Sequence, residues 1–199
     1  MARYTKIPVN AFQQLQINAG IMVTSFTPST GEYEGLMAAT TGGLTFKSNP
    51  TFEDFGANID NCPKNSMELK RITEYDPSLS GNMLTIDDAM CKKLMAAATI
   101  TAGSTVADPS KITPSMELAT ADFGTLWFVG DYSSDNGATT GGFVAIKLMN
   151  ALNTTGFQLQ TTDKGKGQFA FEFHGHMSIA DQTTVPFEVY IKAGANATT

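Results

Sequence analysis

The chain has 199 residues, of which 42% are hydrophobic, and this size predicts one domain able to bury a substantial core. Nineteen acidic residues against thirteen basic ones give a formal net charge of -6, which excludes a broad basic surface for binding nucleic acid tightly. No apolar run approaches the roughly 18 residues of a membrane span, and the first residues lack the apolar stretch of a signal peptide, so we expect cytoplasmic synthesis and no membrane partner.

The first part of the chain predicts an arm followed by two strands. We expect residues 1–19 to form the N-terminal arm. The apolar stretch from Gly20 to Phe26 is typical of a strand, and turn residues follow it at 27–31. A second short strand is predicted at 44–47, after the Gly42-Gly43 pair.

The segment 48–65 keeps neither the period of a strand nor that of a helix, and it predicts a long loop. Long loops in compact domains are usually functional or disordered. Disorder is disfavoured here, because a solvated loop has little reason to carry three large apolar side chains. The candidate residues for contacts with another protein are Asn49, Pro50, Phe52, Phe55 and Ile59.

The middle of the chain predicts two paired strands and then a helix. A strand around 67–72 is expected to return at 79–84, across the turn at Asp76-Pro77. The helix covers about 86–98, and Thr85 and Asp88 have the spacing of its N-terminal cap. Apolar residues recur at helical spacing and predict one face that packs on a sheet. This face consists of Ile86, Ala89, Met90, Leu94 and Ala97.

The second half of the chain predicts strands separated by turns. They are expected at 125–130, 143–149, 157–161, 167–177 and 185–191. The last two alternate apolar and polar residues, which predicts one core-facing side for each. The apolar residues of these two strands are Phe169, Phe171, Phe173, Met177, Val185, Phe187, Val189 and Ile191. Small residues at 193–199 predict a flexible end.

Many short strands with one helix predict a mainly β fold, an antiparallel β-sandwich or barrel with one packed α-helix. Charged residues make up only 16% of the chain and glycines number 18, which favours β-rich packing over a helical bundle. No internal repeat or linker divides the sequence, so residues 1–199 are predicted to form a single domain.

Three short stretches suggest chemistry, and each has a simpler structural interpretation. Glu172, His174 and His176 share one face of a strand and could bind zinc or iron, but no fourth ligand is evident and a polar sheet face is favoured. The segment 131–137 loosely resembles a calcium loop but lacks its glycine and its glutamate, so a hairpin turn is favoured. The segment 164–167 precedes a strand instead of a helix and predicts a basic turn.

The remaining composition gives no sign of catalysis. Cys62 and Cys91 are too few for a disulfide scaffold and are predicted to be free structural thiols. No nucleophile elbow, Cys/His motif or catalytic carboxylate pair is recognisable. We therefore expect neither an enzyme nor a bound metal or cofactor.

Three stretches together resemble the major tail proteins, or tail tube proteins, of long-tailed, non-contractile phages of Gram-positive bacteria. They are IPVNAFQQLQINAGIMVTSF, TTGGLTFKSNPTFEDFGANIDNCPKN and GFVAIKLMNALNTTGFQLQTTDKGKGQFAFEFHGHMSIADQTTVPFEVYI. The resemblance covers nearly the whole chain, and its specificity lies in the order and number of these stretches.

This resemblance implies a tail-tube fold in a virion protein, with six subunits to a ring and rings stacked into a tube for DNA ejection. It implies that an extended loop and the chain termini bridge neighbouring subunits and successive rings, and the segment 48–65 occupies the place of that loop. The implied partners are copies of the chain, the tape measure protein, the distal tail and tail terminator proteins, and double-stranded DNA in passing. Six copies at -6 each would carry a formal -36 per ring, which would repel DNA if part of this charge lines the lumen.

Three other function assignments stay open from the sequence. A tube protein of a contractile injection or secretion system would share the fold. A receptor-binding or carbohydrate-binding β-sandwich would show an exposed aromatic platform and would not polymerise. An enzyme is the third alternative.

Overall fold

The computed structural model describes Pro8, Leu15, Gln16 and the ranges 18–105, 107–131 and 141–192. Within these ranges the chain forms thirteen β-strands and one α-helix, which confirms the predicted mainly β fold with a single helix. The strands are β1 Ile21–Thr27, β2 Glu32–Leu36, β3 Thr40–Lys47, β4 Pro50–Asp54, β5 Lys70–Tyr75, β6 Ser78–Met83, β7 Ala98–Thr101, β8 Lys111–Pro114, β9 Gly124–Asp131, β10 Phe143–Asn153, β11 Gln158–Gln160, β12 Gln168–His174 and β13 Phe187–Lys192. The helix is α1 Asp88–Leu94, and short 3-10 turns lie at Met67–Leu69 and Thr120–Asp122.

Nine of the described strands form one large, curled antiparallel sheet. Its hydrogen-bonded order is β2-β1-β9-β10-β12-β6-β3, with β13 added to β10 and β11 added to β12. The other four strands form two separate antiparallel hairpins, β4–β5 and β7–β8.

Strand β10 joins the two halves of the sheet, because its 11 residues pair with different strands along their length. The part from Phe143 to Leu148 lies between β9 and β13. Leu152 and Asn153 pair instead with β12. The register is irregular between Leu148 and Ala151, and such a bulge bends the strand, so the sheet curls around its core.

The main core lies inside this curl and is closed by α1. It collects large apolar side chains from the sheet and the helix, each of which contributes roughly 1.5–3 kcal/mol when fully buried. The buried members are Met22, Leu79, Met83, Met90, Leu94, Leu126, Leu148, Ala151, Phe171 and Phe173. The predicted core side of 167–177 is therefore right for Phe171 and Phe173, whereas Met177 lies beyond the end of β12 and is exposed.

A second, smaller core occupies another part of the sheet, around Trp127 and Ala145. Phe26 packs its ring edge against Trp127 at 5.5 Å and against Phe143 at 5.1 Å between ring centroids. Strand β1 pairs with β9 only through Ile21–Val23, so its remaining part carries Phe26 onto these rings.

The helix is shorter than predicted, and its N-terminal cap is not Thr85 with Asp88. Asp87 is the cap residue, and its Oδ1 accepts a hydrogen bond from the backbone N–H of Met90 at 2.7 Å. The Thr85 hydroxyl instead accepts from the backbone N–H of Ala39 at 3.0 Å. Asp88 is the first residue of the helix. Of the predicted apolar face, Met90, Leu94 and Ala97 are buried, but Ala89 is exposed.

Two predictions about strand pairing are wrong. The segment 48–65 is not structureless, because it begins with β4, which pairs with β5. Strand β5 therefore does not pair with β6, which lies between β12 and β3. The physical reason is that Asp76-Pro77 is not a reversing turn. The chain runs on through these two residues in the same direction, so β6 follows β5 instead of folding back beside it.

The last strand faces solvent more than its alternation predicted. Val189 and Ile191 are 50% and 67% exposed. Strand β13 lies at an edge of the sheet, and its other side holds Tyr190 against Trp127. The apolar side of β13 therefore contacts the main core through Phe187, whereas Val189 and Ile191 lie beyond that core.

Candidate assembly surface

The feature that stands out from the body of the protein is a long two-stranded ribbon. Strand β3 continues into β4, and β5 continues into β6, so the inner pair β3/β6 and the outer pair β4/β5 follow one another. The inner pair belongs to the large sheet, whereas β4 and β5 hydrogen-bond only to each other within the described residues. We call β4, β5 and the connection between them, residues 50–75, the outer hairpin.

Neither face of the outer hairpin is covered by the part of the chain that the structure describes. A strand packed on a core buries alternate residues, but four of the five residues of β4 and five of the six residues of β5 are exposed. The hairpin therefore projects from the sheet.

The connection at the end of the hairpin is compact. The carboxylate of Asp54 accepts the backbone N–H of Gly56 at 2.9 Å and that of Asn65 at 3.0 Å, which closes the loop. A methyl group on Gly56 would lie 2.9 Å from both the Cys62 sulfur and a Leu69 methyl, so this position accepts no side chain without rearrangement. The tip has a small packed centre of its own.

Five large apolar side chains point outward from this ordered hairpin. Phe52 and Ile72 face each other in register across the two strands. Met67 is 82% exposed, and the other four are between 48% and 55% exposed. The five side chains, which we call the hairpin apolar patch, are Phe52, Phe55, Ile59, Met67 and Ile72.

Charge is mixed around the patch. The ammonium group of Lys70 lies 5.4 Å from the centre of the Phe52 ring. In register across the strands, Asp54 is opposite Lys70 and Glu53 is opposite Arg71. The two acidic residues lie on β4 and the two basic residues on β5, and charges of fixed position beside an apolar patch favour specific docking over indiscriminate apolar association.

The predicted contact residues divide into two groups. Phe52, Phe55 and Ile59 are exposed members of the patch, whereas Asn49 and Pro50 lie at its base. The carbonyl of Asn49 accepts the backbone N–H of Asp76 at 3.1 Å, and Pro50 is opposite Tyr75. Sequence reasoning did not include Met67 and Ile72 among the contact residues, because it assigned both to a strand paired with 79–84.

Free strand edges are the second surface suited to assembly. Strands β2, β3 and β13 each hydrogen-bond to a single neighbour within the described part of the chain. Such edges are open to pairing with another chain unless they are protected. All five residues of β2 are exposed, and β13 combines its edge with the exposed side chains of Val189 and Ile191.

The histidines have structural partners. His174 Nδ1 lies 2.6 Å from the carboxylate of Asp76, and its Nε2 lies 3.6 Å from that of Glu172. His176 Nδ1 lies 3.0 Å from the carbonyl of Asn150. Among the residues that the structure describes, no group of three or more His, Cys, Asp or Glu side chains is arranged to hold a metal ion.

The two loop motifs differ in outcome. The segment 164–167 lies in the turn between β11 and β12, where Lys164 has a positive φ of 56°, and the basic-turn prediction is confirmed. Most of the segment 131–137 lies outside the described residues, as do most of the arm 1–19 and all of 193–199.

Cys62 and Cys91 are free thiols. Partial burial raises the pKa of the Cys91 thiol, and the nearby carboxylate of Asp88 raises it further. A raised pKa lowers the thiolate fraction and hence the reactivity of this cysteine.

No helix in the described ranges is both long and apolar enough to cross a membrane. Compared with protein-family models and with curated proteins, the chain has no significant match.

Proposed function

We propose that this protein is the tail tube subunit of a long-tailed, non-contractile phage, which assembles with copies of itself into stacked six-membered rings. The tube would serve as the conduit for DNA ejection. It would be part of the virion tail, assembled in the bacterial cytoplasm together with the tape measure, distal tail and tail terminator proteins. The resemblance of three long sequence stretches to such proteins motivates this proposal.

The observation that carries the proposal is the outer hairpin. It projects from the sheet, its tip is packed, and it presents Phe52, Phe55 and Ile59 to solvent. An ordered projection with an apolar surface is what a subunit needs to reach a neighbouring copy. Exposed apolar patches of this kind mark sites of protein interaction.

The energetics fit assembly through many weak contacts. Five side chains that are about half-exposed or more leave on the order of 1 kcal/mol each to be gained on burial, or about 5 kcal/mol per hairpin. Association of two proteins costs an estimated 4–15 kcal/mol in translational and rotational freedom. One hairpin therefore binds weakly, whereas a ring that presents six hairpins together binds strongly. This difference would keep free subunits apart until a ring exists.

Free strand edges would close each ring. A head-to-tail contact between different edges forms a ring when the rotation between copies closes on itself. Strands β2, β3 and β13 supply such edges in the described part of the chain.

Electron microscopy of the purified protein tests the proposal. We expect hollow tubes of uniform diameter at high protein concentration, and sheath-free tails of the same diameter in infected cells. A sheath around the tube would favour the contractile-system alternative, which shares the fold. A protein that stays monomeric at all concentrations would reject both tube assignments, and specific sugar binding would then support the carbohydrate-binding alternative.

A further inference from the structure

The connection between the outer hairpin and the sheet has the form of a hinge. The antiparallel ladder pairs Lys47 with Ser78 in the inner ribbon and resumes with Pro50 opposite Tyr75. Between these pairs lie the two-residue segments 48–49 and 76–77, one on each strand. A single backbone hydrogen bond, from Asp76 N–H to the Asn49 carbonyl, joins the two segments.

One side of this hinge is firmly anchored. Pro77 and Ser78 are fully buried, and the Pro77 carbonyl accepts the Gly175 N–H at 2.9 Å. A methyl group on Gly175 would approach Leu148 to 2.7 Å and the Pro186 carbonyl to 2.9 Å, so β12 ends in close contact with the body. Motion of the hairpin must therefore occur at and before Asp76.

His174 is placed to restrain that motion. It is the last residue of β12, directly before the anchored Gly175, and its side chain is 22% exposed. Its Nδ1 lies 2.6 Å from the carboxylate of Asp76, which is itself half-exposed. Hydrogen bonds to a charged partner are roughly twice as strong as neutral ones. Tyr75 adds a ring contact with Phe187 at 5.9 Å, but this contact is apolar and tolerates sliding.

We propose that His174 is a positioning residue, which latches the hinge through Asp76 and so sets the direction in which the outer hairpin projects. The latch joins the rigid end of β12 to the first movable residue of the hinge. The importance of this direction for tube formation rests on the proposed function, but the latch itself is a property of the free subunit.

The latch is tested by distance measurement in the free subunit. Spin labels would be attached at exposed positions on the tip (Ala57→Cys) and on the body (Ser25→Cys), with Cys62→Ser and Cys91→Ser in the background. We expect a narrow distance distribution in the parent protein and a broad one in His174→Ala. His174→Asn should restore much of the narrow distribution, because the asparagine Nδ2 occupies a position close to that of the histidine Nδ1.

A double-mutant cycle provides the control for general destabilisation. His174→Ala, Asp76→Ala and the double variant should broaden the distribution to the same extent, because each removes the same contact. Exchange of the Asp76 amide, which donates to the Asn49 carbonyl across the hinge, should accelerate on the order of tenfold in all three, with exchange of β9 and β10 unchanged. An unchanged distribution in His174→Ala, or uniformly faster exchange over the whole sheet, would overturn the proposal.

The same variants separate the latch from the tube assignment. If the parent protein forms tubes and His174→Ala forms fewer or irregular ones, both proposals are supported. If the parent forms no tubes, the tube assignment fails, while the distance distributions still decide the latch.

Discussion

Phe52 and Ile72 face each other across the outer hairpin, yet about half of each side chain remains exposed. A cross-strand apolar pair of this kind contributes only roughly 0.2–1 kcal/mol relative to two alanines. Its position on a projecting hairpin instead suits contact with another molecule. Substitution of this pair should therefore affect the proposed assembly more than the stability of the free subunit.

We expect Phe52→Ser combined with Ile72→Ser to reduce the proposed tube formation strongly, with a loss of about 1 kcal/mol or less in the free energy of unfolding of the free subunit. Sedimentation of tubes and urea unfolding of the free subunit measure the two effects. Met116→Ser is the matched control, because Met116 is fully exposed but lies outside the hairpin. Equal loss of assembly in the control would contradict a specific role for the hairpin apolar patch.

Asp87, not Thr85 with Asp88, caps the helix, and this difference is measurable. Asp87→Ala should lower the free energy of unfolding by about 0.5–2 kcal/mol, because the backbone N–H of Met90 loses its partner. Asp88→Ala should cost about 0.5 kcal/mol or less, since it removes only a favourable charge near the helix N-terminus. Urea unfolding compares the two, and the capping assignment fails if Asp88→Ala is the more damaging variant.

Asn153 connects the helix to the sheet and is 1% exposed. Its Nδ2 donates to the carbonyls of Leu94 at 2.7 Å and Gly156 at 2.9 Å, and its Oδ1 accepts the Glu172 N–H at 3.0 Å. Asn153→Ala leaves these buried groups without partners, and we expect a loss of about 2–5 kcal/mol.

Thermal or urea unfolding measures this loss. Asn82→Ser on the half-buried polar face of β6 is the control, with an expected change within about 0.5 kcal/mol. A loss as small for Asn153→Ala as for the control would show that water replaces the missing hydrogen bonds.

The turn after β12 should open at acidic pH. The hydroxyl of Thr184, and then the hydroxyl and amide of Thr183, donate to Asp181 and lower the pKa of its carboxyl below the ordinary 3.8. Because the native pKa is depressed, the stabilising effect is complete above the ordinary pKa and is lost as the pH falls through the native pKa. Amide exchange at 183–184, corrected for intrinsic pH dependence, should rise in that range. Asp181→Asn should be less protected at neutral pH and show no such acid transition.

Much of the fold could be predicted from local patterns. Alternation in β12 identified Phe171 and Phe173 as core residues, and the spacing of Met90 and Leu94 identified one helix. These predictions hold because a strand or helix that buries one face carries apolar residues at a regular spacing in the sequence. Such spacing does not indicate which strand is the partner, and the assignment of β6 as the partner of β5 was wrong for that reason.

The candidate surface shows the limit of the same rule. The outer hairpin buries neither face, so β4 has no alternation and its pairing was missed. Phe52 in β4, and Phe55 and Ile59 in the connection after it, were nevertheless identified, because no predicted strand or helix placed them in the core. In β13 the alternation is present, but alternation reports only that one side is apolar. It does not report what covers that side, and Ile191 remains exposed.

The sequence by itself determined a mainly β chain with one helix, an acidic balance and an apolar segment at 48–65 without a predicted core partner. Only the tertiary structure decided that this segment is half of a projecting hairpin, with Asp76 held by His174 across 98 positions of sequence. Local sequence patterns indicate which side chains are buried. Long-range pairing depends on which backbone edges meet after the sheet has closed on its core, and this is a property of the whole chain.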